Sequence, residues 1–506
     1  MNNIFDAWRV GGQGMATGIQ KTDAGWRLDS TITGIAIDSR LVQPGYVFVA
    51  IPGATADGHL FIRDAVERGA VAIVGERSEM ELTVPYYRVP SSRQAAAAIS
   101  AEFYQYPSRK LVTVGVTGTN GKTSVVYWLA SIVKASGQRC GMISSVVNDN
   151  GGHVAEALLT TPESPDLQRH LYEMVTHRMS HAVIEVSSHG IAQYRVDQVS
   201  LDLAVLTNIT RDHLDFHGTM DNYVATKAKL FERMKQGTLG AVINADDYYS
   251  QQVLARVTSP VITYGIQSGD LRATVTQATP WSSDVRLTHK DFAIKARLNH
   301  PGLYNVYNLA AVVAASYQLG IDPSVIERTI GELPEVPGRM QVLSHSNKPT
   351  VVIDYAHTPD GLVQSLKTVR QFVNGDVWLV FGARGGRDRG KRPEMGRIAA
   401  TLADHIVLTA DSPKDEDPLE IAHAIEAGVN EVNAGKLVLI DIRRDWAIRW
   451  AIGQARTHDC VVITGRGPET YQNFHNQRVH LKDADVAMEA LGNGVRREGF
   501  DGIGVH

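Results

Sequence analysis

Leu111-Val-Thr-Val-Gly-Val-Thr-Gly-Thr-Asn-Gly-Lys-Thr-Ser124 is the stretch that decides how this chain folds. The run Leu111–Gly115 reads as a strand, and a helix from about Lys122 to Ala135 follows the glycine-rich turn. Glycines at 118 and 121 let the backbone curl until consecutive N–H groups face one point, and the helix N-terminus adds positive potential there. Such a cradle suits a phosphate. Lys122 would neutralise β- and γ-phosphates, and the Thr123 hydroxyl would ligate Mg²⁺. The strict consensus puts its first glycine where Val116 stands, one place after Gly115. A tight strand–helix turn without a ligand is the bland alternative.

A phosphate loop needs a carboxylate partner. Glu185 closes the apolar run Ala182–Glu185, and a strand's C-terminal end projects toward the same edge as the loop. It reads as a metal partner or, alone, as a surface acid. His189 is equally a ligand or a structural histidine. Further on, Thr207-Asn-Ile-Thr-Arg-Asp-His-Leu-Asp-Phe-His217 gathers Asn208, Asp212, His213, Asp215 and His217. Those residues make either a metal or phosphate site or a hydrogen-bonded loop with helix caps.

Outward from the loop, the pattern alternates strands and helices, which predicts an α/β protein. Upstream, Gly34–Asp38, Gly45–Ile51 and Ala70–Val74 read as strands and Phe61–Gly69 as a helix. Boundaries fall at Tyr104–Arg109 and Val336–Arg339. Between them, Leu203–Leu206 and Ala241–Ile243 are further strands, and 255–300 reads as an antiparallel insertion. Beyond them, Thr350–Asp354, Val377–Phe381, His405–Thr409, Leu437–Ile440 and Cys460–Thr464 are apolar almost throughout, as in parallel strands buried on both faces.

A length of 506 residues exceeds one core and predicts two to four domains. The net charge of -4, without long charged runs, argues against nucleic-acid and membrane partners. Cys140 and Cys460 stand far apart, which fits a reducing cytoplasm better than a disulfide scaffold. The N-terminus lacks the pattern of a signal peptide, and no stretch reaches the roughly 20 apolar residues of a membrane span. The expectation is a cytoplasmic protein, monomeric in solution.

In order, the chain carries Gly-Thr-Asn-Gly-Lys-Thr123, Thr160-Thr-Pro-Glu-Ser164, Glu185-Val-Ser-Ser-His-Gly190, Thr207–Gly218, Lys227 and Asn244-Ala-Asp-Asp247. Pro301–Asn308, Pro337–Met340, Asp354–Pro359 and Gly390-Lys-Arg-Pro393 continue the series. The series resembles the Mur ligase family, cytoplasmic enzymes that add amino acids to the UDP-linked muramyl peptide of the cell wall. The likeness runs from about residue 33 onward and is strongest to the MurE branch, which installs the third residue of the stem peptide.

The resemblance implies three α/β domains. They are a UDP-substrate-binding domain at 1–108, a P-loop ATPase with a parallel sheet at 109–338, and a Rossmann-like amino-acid-binding domain at 339–506. It implies ATP and Mg²⁺ as cofactors, with UDP-N-acetylmuramoyl-L-alanyl-D-glutamate and a free amino acid as substrates. Gly118, Thr119, Asn120, Gly121, Lys122, Thr123 and Ser124 would cradle the phosphates, and Glu185 and His213 would stand near the metals. Lys227 falls where the family carries a carbamylated lysine, an unmodified lysine on a helix face being the alternative. Asn305 and Asn308 match positions around the adenine, Arg339 matches an arginine near the phosphates, and Asp354 and His357 lie in the loop completing that site. Ser39 and the loop Gly53–His59 match uridine contacts, while Thr160, Thr161, Ser187, Gln193 and Arg195 match positions that hold the muramyl peptide.

The chain departs from the family at the amino-acid pocket. Arg387 falls where the α-carboxylate binds, but the usual Gly-Asp-Arg-Asp reads Gly385-Gly-Arg-Asp388, with an extra Arg384. The Asp-Asn-Pro-Arg of diaminopimelate-using enzymes reads Asp411-Ser412-Pro413-Lys414, and lysine lacks the planar fork of arginine. Gly-Lys-Gly-His-Glu becomes Gly465-Arg-Gly-Pro-Glu469. Asp411 or Glu469 remains able to pair with a side-chain amine, and Lys414 favours an acidic side chain, so the amino acid stays open. Rival readings are a ligase redirected to another amine or carboxylate, a folylpolyglutamate synthetase, and a non-catalytic nucleotide-gated binding protein. The second begins with its ATPase domain, unlike this chain. The third requires loss of Lys122, Glu185 or Lys227.

Overall fold

The apolar runs become three main sheets in series, beside two two-stranded ribbons among the described residues. A computed structural model describes residues 18–22, 25–53, 56–78, 81–235, 237–279, 281–475, 477–492 and 496–497. The stretch 1–17, on which the signal-peptide expectation rests, lies outside the described residues, as do Ala54 and Thr55 of the Gly53–His59 loop.

In the first unit, Gly34–Ala36, Tyr46–Val49, Ala72–Gly75 and Tyr86–Arg88 pair parallel in chain order. Alternation along Tyr46–Val49 sends Val47 and Val49 toward helix Ser92–Phe103, and Phe48 toward helix Ile62–Glu67. That second helix is shorter than the expected Phe61–Gly69. Asp57 caps a separate 3₁₀ turn over Gly58–Phe61, and Gly69 at φ +99° leaves the helical region.

The phosphate-loop strand, Val112–Thr117, lies inside an eleven-stranded sheet between His181–Glu185 and Leu203–Leu206, both parallel to it. Cys140–Ile143, Gly240–Asn244 and Val261–Gly265 extend the parallel core. Helices Lys122–Ala135, Leu303–Gln318 and Pro323–Ile330 pack on one face, and Ser164–Thr176 and Met220–Ala228 on the other. The antiparallel strands expected at 255–300 are present, as an extension of the main sheet. Leu271–Ala278 joins Val261–Gly265 in parallel, and Ser283–Thr288 and Ala293–Leu298 then continue the same sheet antiparallel. Leu271, Ala273, Val285, Leu287, Ile294 and Leu298 all join the core under Leu303–Gln318. The alternation in sequence recorded one buried face at the edge of the main sheet.

The third unit orders Leu437–Ile440, His405–Leu408, Val377–Phe381, Cys460–Thr464 and Thr350–Asp354 in parallel, with Gln341–Ser344 antiparallel beyond. Helices cover both faces, as in a doubly wound sheet. Strand ends of both large sheets converge: Gly118 and Glu185 from one, Ala383 and Asp411 from the other, line a single cleft. No helix among the described residues is long and apolar enough to cross a membrane.

Candidate active site

Gly118 and Gly121 have φ of +148° and +84°, backbone that a side chain adopts only with strain. A Cβ on Gly121 would stand 2.2 Å from Asn308 Oδ1, so the loop and helix Leu303–Gln318 touch through bare backbone. Lys122 opens its helix, donates from Nζ to the Thr119 carbonyl at 2.8 Å and stands 4.0 Å from Glu185 Oε1. Glu185 is 1% exposed and accepts from the Thr123 hydroxyl at 3.0 Å and the Ser145 amide at 2.8 Å. Arg339 reaches across from the third unit and donates to Thr123 Oγ1 at 2.9 Å.

Lys227 lies 1% exposed beneath the loop, donating to the Gly118 carbonyl at 2.7 Å with its ammonium 4.5 Å from the Tyr223 ring centre. Burial, reinforced by the Lys122 charge, holds its pKa well below the usual lysine range. Tyr223 is tied in turn to Thr119 by a hydroxyl contact of 3.1 Å. Buried beneath the phosphate loop, Lys227 is not on a solvated helix face.

Asp212 and His213 form the opposite wall, 3.2 Å apart. Burial opposes the charge on Asp212, but His213, His357 and Lys391 around it outweigh that and keep it ionised. Burial in turn lowers the pKa of both His213 and His357. His357 thus stands 3.8 Å from Asp212, on the reaction side of the loop. Asn305, Asn308, Arg339 and Asp354 line a second cleft with Gly121, Thr123 and Ser124, and His357 is not among them.

Thr160, Thr161, Ser187 and Arg195 line the first cleft. Arg195 is braced by the Thr161 carbonyl at 2.8 Å, Gln193 Oε1 at 2.6 Å and Glu163 at 2.8 Å, with its buried Nε left without a partner. Arg387 and Asp411 complete the far end. Glu469 lies in the adjoining cleft with Arg384, and Arg384 donates to both its oxygens at 2.5 and 2.6 Å. Ser39 is elsewhere: it starts a 3₁₀ turn in the first unit and bonds Asp64. Gln193, Ser412, Lys414 and Gly465 stand behind the walls and do not line these clefts. Ser412 Oγ accepts from Arg466 at 3.2 Å, and Gly465 at φ +107° leaves room for Asp411.

Ser145 and Tyr223 escaped the sequence reading, each entering the site through a contact distant in the chain, whereas Tyr355 had a signal in Asp354–Pro359. Lys391 had a signal in Gly390-Lys-Arg-Pro393, and its Nζ donates to the His357 carbonyl at 2.9 Å and faces Asp212 at 4.0 Å. Among the described residues, no three His, Cys, Asp or Glu side chains gather as a metal cluster.

Three family models match the chain: the Mur ligase family catalytic domain at 31–104, the Mur ligase middle domain at 116–316, and the Mur ligase glutamate ligase domain at 338–467. The UDP-N-acetylmuramoyl-L-alanyl-D-glutamate–2,6-diaminopimelate ligase of Geobacillus thermodenitrificans is 41% identical over 468 residues, spanning 91% of this chain and 95% of that protein. The chain belongs to the Mur ligase family. The Aquifex aeolicus protein of the same name is 39% identical over 461 residues, covering 91% of this Mur ligase and 94% of the relative. A solved structure bearing that name matches at TM-score 0.63 and 30% identity, over 93% of this ligase and 97% of that chain. MurF from Acinetobacter baumannii matches at TM-score 0.65 and 21% identity, covering 87% and 92%, a likeness of fold. Within the family this ligase is nearest in kind to MurE, an ADP-forming enzyme that joins an acid to an amino acid.

Proposed function

We propose that this ligase adds the third amino acid to UDP-N-acetylmuramoyl-L-alanyl-D-glutamate, consuming ATP, in the cytoplasmic supply of cell-wall precursor. In the relatives, the amino acid named is 2,6-diaminopimelate. The observation that carries the reading is one continuous cleft with Lys122 and Glu185 at one end and Arg387 and Asp411 at the other. Phosphate activation and amine delivery need that adjacency.

The nucleotide lies in the cleft of Asn305, Asn308 and Asp354, with its phosphates over Gly118–Ser124. The muramyl peptide enters along Thr160, Thr161, Ser187 and Arg195, and its uridine reaches the first unit near Ser39. The peptide carboxylate attacks the γ-phosphate, ADP leaves, and Lys122 and Arg339 neutralise the transferring oxygens. The amine of the incoming amino acid, positioned by Arg387, then attacks the acyl phosphate. Phosphate departs with the former carboxylate oxygen, and an amide remains. Closure of the third unit over Arg339 keeps water from the acyl phosphate. Thr123 and Glu185, hydroxyl and carboxylate 3.0 Å apart, fit the oxygen preference of Mg²⁺ and would hold it with His213 at its edge. Bound there, the ion supplies charge neutralisation at the phosphates. Lys227, buried and with its pKa held well below the usual lysine range, is suited to take up CO₂ as the carbamate of the family. Domain limits at 1–108, 109–338 and 339–506, and a monomer, complete the reading.

The test is phosphate release with ATP, Mg²⁺ and the UDP-dipeptide. Release that requires both the dipeptide and an amino acid supports the reading. ATP hydrolysis indifferent to both would sink it.

A further inference from the structure

The carboxylate best placed to read a side-chain amine is already occupied. Glu469 takes both oxygens to Arg384, accepts from the Tyr355 hydroxyl at 3.1 Å and stands 3.8 Å from Arg466. Asp411 is 2% exposed, with Arg384 Nε 3.6 Å away and the Arg466 and Arg444 charges behind it. Its Oδ1 has no hydrogen-bond partner, but that residue lines the cleft of Lys122, where the attacking amine arrives. Arg384 is therefore a built-in cation lodged between the two acids of the pocket.

The cations are less committed. Among the described residues, Arg387 makes a single ion pair, with Asp215 at 3.7 Å. Lys414 stands half-buried behind the cleft walls, at φ +55° with its backbone bridged to Phe474, and burial first, then the Arg387 and Arg384 charges, lowers its pKa. Arg478 lines the cleft next to Glu469 with its guanidinium 3.9 Å from the centre of the Tyr471 ring. Glu156 is the one further acid lining that cleft among the described residues, and it accepts from Thr470 at 2.5 Å.

We propose that this pocket selects its amino acid by a distal carboxylate alone, Arg384 having cancelled Glu469 as a receptor for a distal amine. The inference rests on the ligase reading and names the substrate class within it: an α-amino acid with an acidic far end, whether or not an amine accompanies it. Diaminopimelate qualifies, and so does its analogue 2-aminopimelate, which lacks the second amine. Lysine, with an amine and no distal carboxylate, does not: it leaves the cations unpaired and brings a like charge to them.

The experiment compares kcat/KM for diaminopimelate, 2-aminopimelate and lysine with the UDP-dipeptide and ATP saturating. The two dicarboxylates are expected within about threefold of each other, and lysine down by about 100-fold or more, the scale on which a site rejects a substrate that leaves its polar groups unpaired. Arg384→Met frees Glu469, so diaminopimelate should gain about tenfold over 2-aminopimelate, a shift in ratio that general loosening of the pocket would not give. A wild-type preference for diaminopimelate above tenfold, or good turnover of lysine, overturns the inference and leaves the ligase reading intact. The wild-type ratios decide the matter even if the variant fails to fold. Phosphate release with no amino acid at all in the panel overturns the ligase reading and this inference with it.

Discussion

Glu185 shows how much one side chain settles. Buried at a strand end, it gathers Thr123, Ser145 and Lys122 into one polar knot. Glu185→Gln keeps the shape and can keep the Thr123 contact, but removes the charge opposite the phosphates. The variant should fold with an unchanged melting curve and lose about 100-fold or more in kcat, the scale of removing one preorganised electrostatic group. A loss under about threefold would assign Glu185 to structure. At this scale the sequence was legible wherever chemistry requires a residue type at a fixed offset. Lys122, Thr123 and Glu185 meet as their spacing on strand and loop implied. Ser145 was not legible, because its place beside Glu185 depends on strand Cys140–Ile143 lying next to His181–Glu185, which no local pattern states. Ser39 sits in the first unit, apart from the clefts around the phosphate loop, as a position matched to the uridine end of the substrate should.

Elements were read well where burial is two-sided and less well at edges. Val112–Thr117 and helix Lys122–Ala135 follow directly from an apolar run and a glycine turn. The strands from Leu271 to Leu298 carry the same alternation that an independent hairpin would, and parallel pairing with Val261–Gly265 and a shared core with Leu303–Gln318 attach them to the main sheet. His300 belongs to this scale. It is 9% exposed, its ring centre lies 4.7 Å from that of Trp128, and its Nε2 donates to the Leu333 carbonyl at 3.1 Å, tying helix Lys122–Ala135 to the segment after helix Pro323–Ile330. Burial lowers its pKa from 6.5, so the folded state excludes a proton that the unfolded chain accepts. The stability this neutral histidine contributes is complete above pH 6.5 and is lost as pH falls below it. His300→Phe should cost about 1–3 kcal/mol at pH 7.5, because the Leu333 carbonyl is left unpaired. Its melting temperature should then fall less than the wild type's between pH 7.5 and 5.5. Parallel curves would show that His300 is not the group responsible.

Over the whole molecule, the third unit is both anchored internally and closed on the phosphate loop. Arg444 and Asp483, neither exposed, meet through two hydrogen bonds of 2.8 and 2.7 Å that tie helix Arg444–Gln454 to helix Asp483–Leu491. Asp483→Ala leaves a guanidinium buried without its partner and should cost about 3–5 kcal/mol in chemical denaturation. A cost below 1 kcal/mol would mean that water replaces the carboxylate. Closure runs through Asn120 to Asp360 at 3.1 Å, Arg211 to Asp388 at 3.2 Å and Arg339 to Thr123. These contacts join residues up to 240 positions apart, so no sequence pattern showed them, although nearly every partner lies in or beside a motif. The central claim is that one cleft activates a carboxylate as an acyl phosphate and passes it to an amine. The direct measurement is the fate of oxygen: UDP-dipeptide labelled with ¹⁸O in its reacting carboxylate, turned over with ATP and diaminopimelate, and the released phosphate examined by mass. One labelled oxygen in that phosphate is the result the account requires. Unlabelled phosphate would contradict it, because the carboxylate would then never have been bonded to the γ-phosphorus.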